Sequence, residues 1–219
     1  MELQEVIETA GTCRYFRPDP IPDDVLARVL NAARFAPSGG NRQPWRFIVV
    51  KDPAKRRQLK EWYLIPWKAY LQAVHQGEIR VGSPQQQRAI EAADYFAEHM
   101  DVAPVIVVVC ARLADVHITD AELGRPSIVG GCSVYTSVQN MFLKAREEGL
   151  GAAITTLLCH FEPQVKELLE IPEELSTACH VVLGWPARPL PRKLTRAPLH
   201  EIAFVDRYGN PFYPPQQGS

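Results

Sequence analysis

A polar loop that precedes the first predicted strand carries side chains suited to bind a flat heterocycle. Ser38, Asn41 and Gln43 offer hydroxyl and amide groups that both donate and accept hydrogen bonds. Pro37 and Pro44 restrict the backbone at the two ends of the loop, and the glycines between them allow a turn where a side chain would clash. The same composition is common in an ordinary connection between a helix and a strand, so the loop alone leaves both interpretations open.

Two arginines in separate proline-rich segments are candidates for binding an anion. Arg14 follows Thr12, whose hydroxyl can add a hydrogen bond, and Arg196 belongs to a basic run near the C-terminus. A phosphate monoester carries close to two negative charges, and guanidinium groups bind it through paired hydrogen bonds. Most arginines are solvated surface charges, so two arginines that lie far apart in sequence do not define a site by themselves.

The sequence lacks the residue patterns of several other site types. Its six histidines include no pair at i, i+3 or i, i+4 and no cysteine–histidine cluster, so we predict no metal site. It contains no G-x-S-x-G and no Walker motif. The run Gly149-Leu150-Gly151 follows a predicted helix rather than a strand, which argues against a dinucleotide-binding fold.

The composition is that of an ordinary globular domain. The chain has 219 residues, of which 46% are hydrophobic and 22% charged, and its net charge is -1. A net charge close to zero gives no reason to expect a nucleic-acid partner. The absence of an apolar run of about 18 residues gives no reason to expect a membrane span. The five cysteines are widely spaced and include no C-x-x-C, which favours reduced thiols in a cytoplasmic protein.

Apolar periodicity predicts the elements that must position these residues. Helices are expected near 3–10, 25–35, 53–63, 90–100, 128–144 and 165–169, the fifth of them apolar on all sides. Strands are expected at 47–50, 104–110, 152–158, 178–184 and, as a terminal strand on a sheet edge, 202–205. The alternation predicts an α+β fold with a small mixed β-sheet flanked by helices.

We expect a single domain over residues 1–206, followed by a C-terminal tail at 207–219. Residues 62–100 form a helical excursion within this domain. Prolines and glycines predict irregular structure over 64–86, and the excursion carries several aromatic side chains. A mobile lid over a site and a plain helical hairpin packed on the core are both compatible with these features.

Five segments together resemble the flavin-dependent nitroreductase superfamily, over about residues 3–206 of the chain. The pattern Ala-Pro-Ser…Asn-x-Gln-Pro-Trp is the most specific part of the resemblance. A further run, Ile154-Thr155-Thr156-Leu157, is similar to the iodotyrosine deiodinase branch. The five segments are Arg14-Tyr15-Phe16-Arg17-Pro18-Asp19-Pro20-Ile21-Pro22, Ala36-Pro37-Ser38-Gly39-Gly40-Asn41-Arg42-Gln43-Pro44-Trp45-Arg46-Phe47, Gly149-Leu150-Gly151, Gly184-Trp185-Pro186-Ala187 and Arg196-Ala197-Pro198-Leu199.

This resemblance implies a nitroreductase-like fold and a flavoprotein oxidoreductase. It implies tightly bound FMN at the interface of an intertwined homodimer, in which the C-terminal arm is exchanged. NADH or NADPH would reduce the flavin, and a small electron-poor acceptor such as a nitroaromatic or a quinone would then oxidise it in a ping-pong cycle. Three alternatives stay open: reductive dehalogenation of the deiodinase type, an oxygen-dependent reaction that destroys the flavin, and a flavin-binding module without catalysis.

The resemblance also implies roles for individual residues. It places Thr155 and Thr156 near the flavin N5 as catalytic residues, and it places Arg14 and Arg196 at the FMN phosphate, with Thr12 at the position of the usual serine. The implied cofactor-binding residues are Thr12, Cys13, Arg14, Pro37, Ser38, Gly39, Asn41, Gln43, Thr155, Thr156 and Arg196.

One departure from the family pattern affects the expected phosphate site. The family often begins this motif with Arg-Arg-Ser, whereas this chain has Ala10, Gly11 and Thr12. One phosphate arginine is therefore missing, and we expect Arg17 or a cation of the basic C-terminal run to replace it, or FMN to bind more weakly.

Further side chains are expected around the flavin. Arg42 is a candidate to stabilise negative charge at the pyrimidine edge of the flavin. Trp67, Tyr70 and Phe96 are candidates to stack on the acceptor.

Overall fold

The computed structural model describes residues 1–213, which contain seven α-helices and one four-stranded β-sheet. The helices are α1 (Leu3–Thr9), α2 (Asp23–Ala33), α3 (Pro53–His75), α4 (Pro84–His99), α5 (Cys132–Glu147), α6 (Glu162–Leu169) and α7 (Leu199–Ile202). The strands are β1 (Trp45–Val50), β2 (Val105–Arg112), β3 (Gly151–Thr155) and β4 (Leu175–Gly184). The last part of the predicted tail, 214–219, lies outside the described residues.

The sheet has the strand order β1-β2-β4-β3, and each neighbouring pair is antiparallel. β2 and β4 are central and almost entirely buried, because helices cover both faces of the sheet. β1 and β3 form the two edges. The expected mixed character is limited to an isolated parallel bridge between Thr12 and Ala152, which extends the sheet beyond β3. The α+β class predicted from the sequence is confirmed.

Two hydrophobic cores lie on opposite faces of the sheet. α3, α4 and α6 pack on one face, where Leu59, Phe96 and Val165 are buried. α2 and α5 pack on the other, where Val29 and Met141 are fully buried. Burying side chains of this size stabilises the fold by about 1.5–3 kcal/mol each. Both edge strands are therefore anchored on a packed sheet, and so are the residues that flank them.

α5 begins at Cys132, later in the chain than the periodicity predicted, because Asp120 organises the preceding loop. The Asp120 carboxylate accepts hydrogen bonds from the Ile128 backbone nitrogen at 3.0 Å and the Ser127 hydroxyl at 2.7 Å, and it pairs with Arg125 at 2.8 Å. These contacts keep Ile128 out of the helix and leave it exposed. The helix is also not apolar on all sides, since it buries one face and exposes polar side chains on the other.

α3 continues through Pro66 to His75, where irregular structure was predicted. A proline inside a helix removes one backbone hydrogen bond, but Tyr63 and Trp67 on either side of it are buried in the core and hold the helix in place. α3 and α4 form a hairpin whose connection, 76–83, is largely exposed. The hairpin packs on the core near the sheet, and the connection is the part that stays a candidate for a lid.

The predicted strand at 202–205 is wrong. α7 occupies its start, and Phe204 forms only an isolated bridge to Pro211. The Val205 backbone nitrogen donates to the carbonyl oxygen of Asn210 at 2.8 Å, so the segment satisfies its backbone in a local turn instead of on a sheet edge. β3 also ends earlier than predicted, because a 3-10 turn over Leu157–Phe161 follows it.

Candidate functional site

The segment that carries Thr12, Cys13 and Arg14 lies along the edge of β3. Thr12 forms the parallel bridge with Ala152, and the Cys13 backbone nitrogen donates to the Ala152 carbonyl oxygen at 2.8 Å. This approach requires Gly151, because a Cβ atom there would lie 2.6 Å from both Cβ and Sγ of Cys13. Burial raises the pKa of the Cys13 thiol, so the thiol stays neutral and adds no negative charge beside Arg14.

Arg14 is half-buried at this edge and forms no salt bridge with any residue of the described range 1–213. Removing a charge partly from water without a counter-ion costs free energy, so the guanidinium is well placed to receive an anionic ligand. Burial raises the pKa of Tyr63 on α3, while a hydrogen bond to Thr155 and the charge of Arg14 both oppose that rise. Arg14, Tyr63 and Thr155 therefore border one region.

Thr155 and Thr156 lie at the end of β3 in different environments. Thr155 is 8% exposed, and its Oγ1 accepts a hydrogen bond from the Leu157 backbone nitrogen at 3.3 Å. This arrangement leaves the Thr155 hydroxyl proton available for donation. Thr156 is exposed, and its side chain makes no hydrogen bond within the described part of the chain.

A basic C-terminal strap, residues 191–196, passes beside the same segment. The Leu194 backbone nitrogen donates to the Glu8 carbonyl oxygen at 2.8 Å, and the Lys193 ammonium lies 3.4 Å from the Glu8 carboxylate. A Cβ atom at Gly11 would lie 2.8 Å from Cδ2 of Leu194. The strap therefore fills the space that a side chain at position 11 would need. The atoms that fill this space belong to Leu194 and Pro191, so replacement of the missing arginine by a cation of the strap stays a prediction.

The polar loop at 37–43 is attached to the first turns of α5. The Gly39 backbone nitrogen donates to Oγ of Ser133 at 3.2 Å, and the Thr136 hydroxyl donates to the Pro37 carbonyl oxygen at 3.3 Å. The loop therefore takes its position from a helix that packs on the sheet, although its own side chains are mostly exposed.

The backbone of this loop has an uncommon conformation. Gly40, Asn41 and Gln43 have φ angles of 58°, 54° and 51°. This left-handed region suits glycine, is tolerated by asparagine and is unfavourable for glutamine. Oγ of Ser38 accepts from the Gln43 backbone nitrogen at 3.0 Å, and the Gln43 side chain donates to Asn41 at 3.3 Å. Strain held by such bonds is typical of binding sites.

A cavity of about 290 Å³ opens beside the loop. Its lining residues are Gly39, Gly40, Arg42, Asp115, His117 and Ser133. Asp115 lies 3.8 Å from Arg112, whereas Arg42 forms no salt bridge within residues 1–213. The unpaired guanidinium makes this cavity suited to a ligand edge that is rich in electrons.

The predicted site residues fall into two groups at opposite edges of the sheet. Thr12, Cys13, Arg14, Thr155 and Thr156 lie along β3, and Pro37, Ser38, Gly39, Asn41 and Gln43 precede β1. Arg196 is exposed at the end of the strap, where its side chain donates to the Thr195 carbonyl oxygen at 2.8 Å. Three inter-strand spacings, or about 14 Å, separate the two edges. Within one chain the two groups therefore lie at opposite edges of the sheet.

The structure adds one residue to the candidate site and removes two. Tyr63 belongs to a helical apolar pattern, and only the packing of α3 over the end of β3 brings its phenol to Thr155. Trp67 and Phe96 are 7% and 4% exposed within the core, so the prediction that they stack on an acceptor is wrong. The Trp67 indole donates to Asp94 at 2.8 Å and is satisfied there.

Residues 1–213 contain no group of three or more histidine, cysteine, aspartate or glutamate side chains arranged to hold a metal ion. None of their helices is both long and apolar enough to cross a membrane.

Comparison with known proteins gives consistent relatives. The profile of the Nitroreductase family matches residues 7–185. The chain is 30% identical over 193 residues to 5,6-dimethylbenzimidazole synthase of Rhodospirillum rubrum, covering 86% of this chain and 84% of the relative. It is 28% identical over 198 residues to NADH dehydrogenase of Thermus thermophilus, covering 80% and 82%.

A solved structure of oxidised iodotyrosine deiodinase, bound to FMN and 3-iodo-L-tyrosine, has the same fold. It superposes with a TM-score of 0.66 at 23% identity, and the match covers 95% of this chain and all of that one (100%). The deiodinase-like resemblance of the sequence therefore extends to the fold. On the strength of the family profile and of these relatives, the chain belongs to the nitroreductase family.

Proposed function

We propose that the protein is an FMN-dependent oxidoreductase that uses NADH or NADPH to reduce nitroaromatic, quinone or similar electron-poor molecules in a ping-pong cycle. The observation that carries the proposal is the half-buried, unpaired Arg14, which stands beside Thr12 and near Thr155 at an open sheet edge. The Arg14 cation and the Thr12 hydroxyl match a phosphate at one end of a ligand. The Thr155 hydroxyl, at the end of the strand, matches a heteroaromatic nitrogen at the other end.

The residues present fit FMN. Arg14, Thr12 and the strap residue Arg196 would hold the phosphate. Thr155 and Thr156 would lie at the reactive edge of the isoalloxazine. The donor set supports this assignment, because Arg14 lacks a carboxylate partner within residues 1–213 and Thr155 has a proton to donate.

The proposal includes a homodimer with two sites at the subunit interface. Pro37, Ser38, Gly39, Asn41 and Gln43 of one copy would complete the site formed by the β3 edge of the other. Exposed apolar side chains support such an interface, since Ile154 on β3 is 41% exposed and Tyr135 on α5 is 43% exposed. Burying them against a second copy would stabilise the pair.

Exchange of the C-terminal arm is part of the proposed dimer. Tyr208 and Phe212 of the arm are 90% and 60% exposed within one chain. A groove of about 360 Å³ between α1, α2 and α5 offers an apolar surface that includes Leu3 and Phe35. The aromatic arm of one copy and the apolar groove of the other are complementary surfaces.

The protein would position the flavin and adjust its reactivity. FMN, when bound, supplies hydride acceptance and donation. Arg14 would neutralise the phosphate, and Arg42 would place positive charge near the electron-rich edge of the ring system. Thr155 would orient that ring by donating a hydrogen bond, while the packed α3 helix behind it excludes water from this side.

This proposal is tested by recording the visible spectrum of the purified protein, first alone and then after addition of a nicotinamide. We expect a yellow protein that loses its colour on anaerobic addition of NADH or NADPH and regains it on addition of a nitroaromatic or a quinone. A protein that retains its colour for minutes with both nicotinamides contradicts the oxidoreductase and favours a flavin-binding module.

A second candidate function rests on the 30% identity to the protein named 5,6-dimethylbenzimidazole synthase. In this alternative the reduced flavin reacts with oxygen and is consumed. Reducing the protein with excess nicotinamide in air separates the two functions. Loss of flavin absorbance together with a benzimidazole product favours the second candidate, and intact flavin through many turnovers favours the first.

A further inference from the structure

His180 is a buried histidine without a hydrogen-bond partner at the centre of the sheet. It is fully buried in β4, and neither ring nitrogen finds a partner within the described residues. Burial lowers its pKa to about 3, so the ring is neutral and carries one donor and one acceptor. Leaving a buried polar group unsatisfied costs free energy. Its strand neighbours Val181, Val182 and Leu183 show that aliphatic side chains fit in this strand without that cost.

The strand register places His180 directly opposite Thr155. β3 and β4 pair these two residues, and β2 places Val108 on the other side of His180. Directly opposite residues share one face of a sheet, with Cβ atoms about 4.5–5.5 Å apart. That face is the one covered by α3, since Val108 and Val182 belong to its core. The imidazole and the Thr155 hydroxyl are therefore neighbours on the side from which Tyr63 approaches.

The polar groups on this face form a short row. The Thr155 hydroxyl and the charge of Arg14 both lower the pKa of the Tyr63 phenol, so the three side chains are close to one another. Oγ1 of Thr155 already accepts from Leu157, so the direction of its proton depends on which acceptor is nearest. Neither ring nitrogen of His180 bonds to Thr155 directly, but a water between the neutral imidazole and Oγ1 can accept that proton or donate to the oxygen. Either bond changes what the hydroxyl presents to a ligand at the strand end.

We propose that His180 is a positioning residue, which sets the direction of the Thr155 hydroxyl through one buried water that bridges the imidazole and the hydroxyl. The inference rests on the proposed function, in which Thr155 faces the flavin. It also explains why a polar side chain occupies a position whose surroundings are aliphatic.

A double-mutant cycle on the FMN-loaded protein tests the proposal. The variants are Thr155→Val, which removes the hydroxyl and keeps the branched shape, His180→Leu, and the two combined. The readout is the two-electron reduction potential of the bound flavin. We expect T155V to change the ratio of affinities for oxidised and reduced flavin about tenfold, which equals about 30 mV. We expect H180L to shift the potential in the same direction, and the double variant to match T155V alone.

Several outcomes overturn the proposal. An H180L variant with the wild-type potential does so, and so does an H180L shift that adds in full to that of T155V. Val182→Ala is the control, because it removes a side chain from the same face of β4 without changing a polar group, and its potential should stay at the wild-type value.

A second measurement covers the case in which H180L does not fold. The ¹⁵N resonances of the His180 ring, in wild type and in T155V, report on hydrogen bonding to the imidazole directly. We expect T155V to move them, and unchanged resonances overturn the proposal. Protein that binds no FMN contradicts the proposed function instead, so the two failures are distinguishable.

Discussion

Gly11 lies directly beneath Leu194, so closely that a Cβ atom on the glycine would come within 2.8 Å of the leucine Cδ2. The contact couples the N-terminal segment to the C-terminal strap. The strap carries the basic residues Arg192, Lys193 and Arg196, and its hydrogen bond to Glu8 holds it beside Thr12. The space beside position 11 is therefore filled by Leu194 and Pro191, which come from the other end of the chain.

Gly11→Ala is expected to loosen the strap. Overpacking a well-packed core costs about 1–3 kcal/mol, and we expect the lower end of this range here because the nearest atom is the end of a half-buried leucine side chain. If FMN binding needs the docked strap, this free-energy cost lowers FMN affinity by about fivefold or more, because 1.4 kcal/mol corresponds to about tenfold in affinity. Fluorescence titration of the FMN-free protein with FMN measures the effect.

The double variant Gly11→Ala/Leu194→Ala should recover part of the lost affinity, because it removes the nearest atom that the new Cβ meets and leaves only Pro191 Cγ at 3.1 Å. Gly82→Ala is the matched control, since a Cβ there meets only Oε1 of Gln86 at an ordinary 3.5 Å. Wild-type affinity in Gly11→Ala would show that the strap does not support the cofactor.

Arg14→Ala should lower FMN affinity without unfolding the protein. A hydrogen bond to a charged group contributes about 1.5–3 kcal/mol, so we expect a loss of about 10- to 150-fold. The loss should shrink at high salt, because screening weakens the phosphate contact in the wild type as well. Flavin occupancy after purification and a titration at two salt concentrations provide the measurement.

Arg57→Ala is the control for Arg14→Ala, since Arg57 is an exposed arginine on the outer part of α3. Equal occupancy in Arg14→Ala and Arg57→Ala would place the phosphate elsewhere.

Asp120→Asn should change how stability depends on pH. Hydrogen bonds from Ser127 and Ile128, with the pairing to Arg125, lower the pKa of Asp120 to about 2. A folded pKa below the unfolded value of about 3.9 stabilises the protein above that value, and this stabilisation is lost as the pH falls toward 2. Wild type should therefore lose more stability than Asp120→Asn between about pH 4 and pH 2.

Urea denaturation at several pH values measures this difference. Glu91→Gln, at an exposed position on α4, should retain the wild-type dependence. Parallel pH curves for wild type and Asp120→Asn would show that Asp120 does not hold the loop before α5.

Sequence reasoning identified the parts of the fold that depend on local signals. The central strand β2 and the loop around Ser38 follow from an apolar run and from proline and glycine positions. The start of α5 does not follow from local signals, because the Asp120 carboxylate accepts a hydrogen bond from the Ile128 backbone nitrogen, eight residues further along the chain. The predicted strand at 202–205 failed for a similar reason, since its backbone bonds are made within its own turn.

The candidate site was predictable as a set of residues but not as an arrangement. The family resemblance supplied Arg14, Ser38 and Thr155. Nothing in their local sequence shows that Ser38 lies at one edge of the sheet and the other two residues at the opposite edge. Tyr63 and His180 were missed because their importance comes from the packing of α3 and from the register of β3 with β4. Both relationships exist only in the folded chain.

In the proposed dimer, each site joins the β3 edge of one chain to the Ser38 loop of the other. Two variants that each lack one half of the site, Arg14→Ala and Asn41→Ala, should both bind FMN poorly as homodimers. In a dimer that combines them, one site carries both substitutions and the other carries neither.

Unfolding and refolding an equal mixture of the two variants, followed by titration with FMN, is the most direct test. Random pairing makes half of the dimers mixed, so about a quarter of the wild-type high-affinity sites should reappear. Each variant refolded alone serves as the control. A mixture that binds no more FMN than the two variants alone, although it forms mixed dimers, would contradict the shared site.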